Sequence, residues 1–233
     1  MRFVALLRKE LRESLPWLLL AGLLLLAVGT LALRAHVPNT GVRYWQYRRG
    51  MAPGETIDTW RLLSPAKLDL PALWLSFIAP GLGLVLGVRH FWVPLFTRTW
   101  AFLLHRSVSR LTILGAKLGA MVLAFVLSVG IIWTGLYWYA CRPGLFPIAE
   151  PVYVLVNGWF YIVMGMVVYL GTALSALSTT RWYTSRIFGL VFALLATLML
   201  LSLWRPVWLL AMTALVLAML LAQTTSAFLS REF

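Results

Sequence analysis

Six stretches of this chain are almost continuously apolar: residues 15–33, 71–88, 112–140, 152–178, 187–204 and 206–222. A helix crosses a hydrocarbon core of about 30 Å in about 20 residues, so each run is close to spanning length. The runs do not alternate apolar with polar residues, which predicts helices rather than barrel strands. Composition excludes the soluble alternative. Hydrophobic residues make up 61% of the 233 and charged residues only 12%. A single soluble core buries about three quarters of a chain's surface at most, too little to hide this much apolar area. The sequence predicts an all-α, polytopic membrane protein of one domain, 1–233, with six transmembrane helices.

Basic residues outnumber acidic ones, 20 to 7, for a formal charge of +13. The arginines sit between the apolar runs, where they anchor helix ends and interact with membrane lipids. No basic stripe is long enough to follow a phosphate backbone, so nucleic acid is not an expected partner. Six spans place both termini on one side, with twelve Lys and Arg there against eight opposite. That bias favours cytoplasmic termini. Trp17, Trp74, Trp92, Trp100, Trp138, Trp182, Trp204 and Trp208 fall near span ends, where an amphipathic ring is favoured. The first span is expected to be retained rather than cleaved. Glu10 and Glu13 interrupt its n-region, and 15–33 is long for a signal h-region. The single cysteine, Cys141, reads as a small residue at a helix end, with a reactive thiol or intermolecular bridge as the other reading.

Residues 1–14 have helical periodicity. Phe3, Leu7, Leu11 and Leu15 form an i, i+4 stripe, with Arg8, Lys9, Glu10, Arg12 and Glu13 mostly on the other side. This predicts an amphipathic helix lying in the membrane interface, closed by Ser14 and Pro16 before the first span begins. Residues 34–70 form a long, Gly- and Pro-containing extracytoplasmic loop. In it Arg43, Tyr44, Trp45, Tyr47 and Arg48 could grip a partner or an anionic headgroup, or fold back on the interface. Gly83 with Gly87, and Gly115 with Gly119, have the spacing of close helix contacts, either within the chain or at a dimer seam.

Catalytic chemistry is not visible. The acids Glu10, Glu13, Glu55, Asp58, Asp69, Glu150 and Glu232 all fall in expected loops, tails or span ends. Ion-coupled transporters usually carry an ionisable group within the membrane, so that class is disfavoured. His36, His90 and His105 are far apart in sequence and read as interfacial polar residues rather than ligands. No HExxH, GxSxG or GxxxxGK[ST] pattern occurs. The chain is not expected to be an enzyme, to hold a metal or to bind a cofactor.

The most informative stretch is 99–123, TWAFLLHRSVSRLTILGAKLGAMVL. It joins a short amphipathic segment to the base of the third span. A segment held across the membrane surface by two spans can be pushed by a soluble partner and pass that push on. Without such a partner it is an interfacial loop anchored by arginine. Leu103, Leu104, His105, Arg106, Ser107, Val108, Ser109 and Arg110, followed by Ile113, Leu114, Lys117 and Leu118, resemble the pattern after the second span of ABC-2 permeases. These are the membrane subunits of type-2 ABC transporters. Leu6 to Glu13, LLRKELRE, is similar to that family's N-terminal interface helix. The chain has Ser107 where the family usually has proline, and Phe96-Thr97-Arg98-Thr99-Trp100 where acidic residues and Gly-Thr are common.

The resemblance implies a machine in parts. Two permease subunits, this chain and a second copy or homologue, would form the path. Separate ATPase subunits would hold ATP and Mg. Residues 89–111 would be the cytoplasmic coupling segment, with 99–110 as its coupling helix, braced by the 1–14 interface helix that carries Arg8, Lys9 and Arg12. The alternative is a non-transporting membrane scaffold or sensor acting through the 34–70 loop.

Overall fold

The computed structural model of the chain describes residues 2–50, 68–97, 109–142, 150–178, 183–202 and 206–230, with side chains over 3–34, 68–97, 109–142, 150–178, 187–201 and 209–230. Every regular element among the described residues is helical. The helices are α1 (Arg2–Gly50), α2 (Asp69–Phe96), α3 (Arg110–Ala140), α4 (Val152–Leu177), α5 (Tyr183–Ser202) and α6 (Pro206–Ser230). Five contain stretches long and apolar enough to cross a membrane: Phe3–Arg34, all of α2, α3 and α4, and Leu209–Ser230. The apolar stretch of α5, Ile187–Leu201, is shorter than these, so five of the six expected runs reach spanning length among the described residues.

Three boundaries differ from the sequence expectation. First, α1 is one helix from Arg2 to Gly50, not an interface helix followed by a separate span. Pro16 removes one backbone donor, but its ring is exposed and forces no break. The helical backbone also takes in the first part of the expected 34–70 loop, including Arg43, Tyr44, Trp45, Tyr47 and Arg48, whose side chains lie outside the described set. Second, α2 does not stop before Arg89 and His90. It passes through them as a π turn, Val88–Trp92, and continues to Phe96. The first part of the expected 89–111 coupling segment is thus the end of a span. Third, α6 runs past 222 to Ser230. In this added stretch Thr225 Oγ1 donates to the Leu221 carbonyl at 2.8 Å, whereas the Thr224 hydroxyl is buried without a hydrogen-bond partner among the described residues.

Helix α4 is the hub. Its span is 72% buried inside the bundle, against 17% for α6 and 28% for α1. Without a hydrophobic drive between helices in lipid, contact depends on close backbone approach at small residues. A Cβ on Gly165 of α4 would stand 2.6 Å from the Ala79 carbonyl oxygen of α2, and one on Gly87 would stand 2.6 Å from Thr172 Cβ of α4. Phe3 and Leu7 of α1 lie over Gly119 of α3, and Phe3 also over Gly115. Each of the four glycines singled out in the sequence has a neighbour within the chain, closest at Gly83, against the Gly165 backbone of α4, and loosest at Gly115. Trp133 of α3 sits against Gly158 of α4, with its Nε1–H donating to the Leu155 carbonyl at 3.2 Å.

Candidate functional site

The outward surface of the bundle is apolar, as lipid-facing helices require, with residues such as Leu23, Leu31, Phe77, Leu198 and Leu215 exposed. The unusual feature is inside. Glu10, Ser14, His90 and Lys117 are 7%, 1%, 1% and 2% exposed, and Tyr169 is fully buried beside them. They come from α1, α2, α3 and α4, so four helices meet at one polar cluster.

Each helix delivers its group by a simple rule. Glu10 and Ser14 are one turn apart on α1 and share a face. Lys117 lies on the buried face of α3 with Ile113, Ala116 and Ala120. The π turn of α2 is wider than an α turn and places both His90 and Phe91 inward. Tyr169 lies on the buried face of α4, one turn after Gly165.

The contacts join all five side chains. Lys117 Nζ donates to Glu10 Oε1 at 2.8 Å. Glu10 Oε2 lies 3.7 Å from His90 Nε2. The other His90 contacts are Nε2 to Ser14 Oγ at 3.0 Å and Nδ1 to the Tyr169 hydroxyl at 2.9 Å. Ser14 Oγ donates to the Glu10 carbonyl at 2.8 Å, and the Tyr169 hydroxyl stands 3.3 Å from the Lys117 carbonyl. The Lys117 ammonium also lies 5.8 Å from the centroid of the Phe91 ring, a cation–π contact beneath the ion pair.

This cluster corrects two sequence expectations. Periodicity puts Glu10 on the polar side of a surface helix, whereas it is buried against Lys117. His90 reads from sequence as an interfacial residue, whereas it is the centre of the cluster. Glu10, expected in a tail before the first span, thus stands among the helices near the end of the Phe3–Arg34 stretch. Taking the charges of Glu10 and Lys117 out of water costs several kcal/mol each, offset only by close pairing. An ionisable group in a spanning helix is therefore a functional candidate, with its partner named.

The other sequence candidates fall elsewhere. Arg8, Lys9 and Arg12 are on the exposed side of α1, lining an open cleft with Val4, Ala5 and Glu13. Lys9 Nζ is 3.7 Å from Glu13 Oε1. Leu103, Leu104, His105, Arg106, Ser107 and Val108 lie outside the described residues. Ser109 is the N-cap of α3, with its Oγ accepting from the Thr112 amide at 3.2 Å. Arg110 Nη1 donates to the Leu229 carbonyl at 2.9 Å, a cation at the C-terminal end of α6. Cys141 closes the C-terminal end of α3, with Sγ 3.7 Å from the Glu150 carbonyl oxygen. Among the described residues no three His, Cys, Asp or Glu side chains converge as a metal site.

No protein-family model matches the chain, and neither does any curated protein or solved structure.

Proposed function

We propose that the chain is the membrane-spanning permease subunit of an ABC-2-type transporter, forming the translocation path and moved by a separate ATPase that holds ATP and Mg. Its partners in this reading are that ATPase, a second permease copy or homologue, and the surrounding lipids. Both termini lie on the cytoplasmic side of a bacterial inner membrane. The reading starts from the resemblance of 103–118 and 6–13 to the family.

The observation that carries it further is how the base of α3 is tied down. Directly after the 99–110 segment, α3 is joined to α6 through Arg110 and to α1 through Lys117 and Glu10. The Lys117 carbonyl faces the Tyr169 hydroxyl of α4. A force applied to 99–110 thus reaches three other helices within the first turns of α3. Rigid-body transmission of this kind needs contacts that do not slip, and buried charge-assisted hydrogen bonds meet that need.

The test uses Arg106→Glu, because Arg110 already has a structural bond to α6. The variant is expected to insert and fold, with the thermal midpoint of the native chain. Its recovery of the ATPase partner is expected to fall at least about tenfold, the effect of about 1.4 kcal/mol. Recovery equal to the native chain would count against docking at this segment. Arg110→Glu is expected to lose stability as well, since it places a carboxylate against a helix C-terminal carbonyl.

A further inference from the structure

We infer that Glu10, His90 and Lys117 form a proton-binding site in which one carboxylate serves two bases, so that His90 takes up a proton when Lys117 leaves Glu10.

The first argument is a count of hydrogens. Four hydrogen bonds run in a line: Glu10 carbonyl to Ser14, Ser14 to His90, His90 to Tyr169, and Tyr169 to the Lys117 carbonyl. Both ends are acceptors, so the line needs four hydrogens. Ser14, a neutral His90 and Tyr169 supply one each, and the line is one short. Three contacts are 2.8, 3.0 and 2.9 Å, while Tyr169 to the Lys117 carbonyl is 3.3 Å, long for a hydroxyl donor. With the shortfall assigned to this longest contact, the resting arrangement is a neutral His90 with its hydrogen on Nε2, donating to Ser14, and with Tyr169 donating to Nδ1. A proton arriving from solvent binds the Nδ1 lone pair. The Tyr169 hydroxyl then rotates its hydrogen onto the Lys117 carbonyl, and all four bonds are made. No other bond forms or breaks.

The second argument is charge. Glu10 Oε1 holds Lys117 at 2.8 Å and Oε2 stands 3.7 Å from His90 Nε2. One buried carboxylate balances one cation. While Lys117 occupies it, a charged His90 would be an uncompensated buried cation, and the neighbouring Arg89 adds to the repulsion. Arg89 Nε is buried without a hydrogen-bond acceptor among the described residues. On α1 Lys9 and Glu13 are half exposed and 3.7 Å from each other, and Arg8 and Arg12 are exposed. From α4 the facing group is Tyr169, and α6 has no charged residue between Pro206 and Ser230. Removing Lys117 from Glu10 therefore leaves His90 as the base best placed to neutralise the carboxylate. By linkage, a motion that draws the Lys117 ammonium off Glu10 while its carbonyl stays at Tyr169 takes up a proton, and acid favours that state.

The experiment is nitrogen NMR of the full chain labelled at histidine nitrogen, in lipid nanodiscs, with His90→Gln to assign His90 against His36 and His105. From about pH 6 to about pH 8, His90 of the native chain is expected to be neutral with its hydrogen on Nε2. In Lys117→Met it is expected to be neutral at about pH 8 and to become imidazolium as the pH falls to about 6. In Glu10→Gln/Lys117→Met it is expected to be neutral again, an electrostatic signature that a merely structural role would not produce. A second readout covers loss of fold. The thermal midpoint of Lys117→Met is expected to rise from about pH 8 to about pH 6, and that of Lys117→Met/His90→Gln is not. A neutral His90 in Lys117→Met throughout, an imidazolium already present in the native chain, or failure of Lys117→Met to fold at either pH would overturn the inference.

Discussion

Lys117→Met is expected to lower stability by about 3–5 kcal/mol at about pH 8, where His90 cannot compensate. The Lys117 ammonium is 2% exposed and 2.8 Å from Glu10. Methionine fills a similar volume but leaves the Glu10 carboxylate buried without its counter-charge. In a chain of this size the thermal midpoint in detergent is expected to fall by about 10 °C. Glu10→Gln/Lys117→Met is expected to recover most of the loss, because no net charge is then left inside and the two neutral side chains pack in the same space. The pair of variants, compared by thermal unfolding, separates the charge from the packing. A single variant as stable as the native chain would mean that the ion pair is not formed in the membrane.

Gly83→Ala is expected to have the second large effect, a loss of about 1–3 kcal/mol or more. A Cβ at Gly83 meets the backbone of Gly165 and Tyr169 in α4, not the end of a flexible side chain. The two helices can only move apart, and α4 is the most buried of the spans. Gly81 is the control. It lies two residues away on the same helix, and a Cβ there meets nothing within 4 Å. Gly81→Ala is expected to be neutral or to gain up to about 1 kcal/mol through helix propensity. If Gly83 served a seam between two copies instead, its alanine variant would change the oligomeric state and spare the monomer. Thermal unfolding together with size-exclusion chromatography distinguishes these outcomes.

The fold was legible where its signal was apolar length. The runs at 112–140 and 152–178 became α3, Arg110–Ala140, and α4, Val152–Leu177, with ends shifted by at most two residues. Legibility failed where polar residues sit inside helices. Pro16 and the Arg89-His90 pair were read as helix ends, although α1 and α2 continue through them. A π turn has no plain sequence marker, so nothing in local periodicity announces that both His90 and Phe91 turn inward.

The site was more legible than it first appears. On α1 the inward positions include Leu7, Glu10, Ser14, Ala21 and Leu25, a helical stripe with Glu10 in phase. On α3 the buried stripe is Ile113, Lys117, Ala120 and Ala124, with Lys117 in phase. An acid in one apolar stripe and a base in another predict each other, because neither can be buried alone. The grouping of Glu10 with Arg8 and Arg12 as one polar face hid this. The pairing with His90 and Tyr169 depends on how four helices pack, which no single-helix pattern contains.

Arg106 and its neighbours carry the functional reading, and the partner that they would touch decides it. The most direct measurement is to tag the full chain at its C-terminus, extract native membranes in mild detergent, and identify by mass spectrometry what co-purifies at near-equal stoichiometry. The expected result is a soluble chain with a Walker A phosphate loop, lost on Arg106→Glu. Purification of the chain alone, or with extracytoplasmic partners only, would contradict the permease reading.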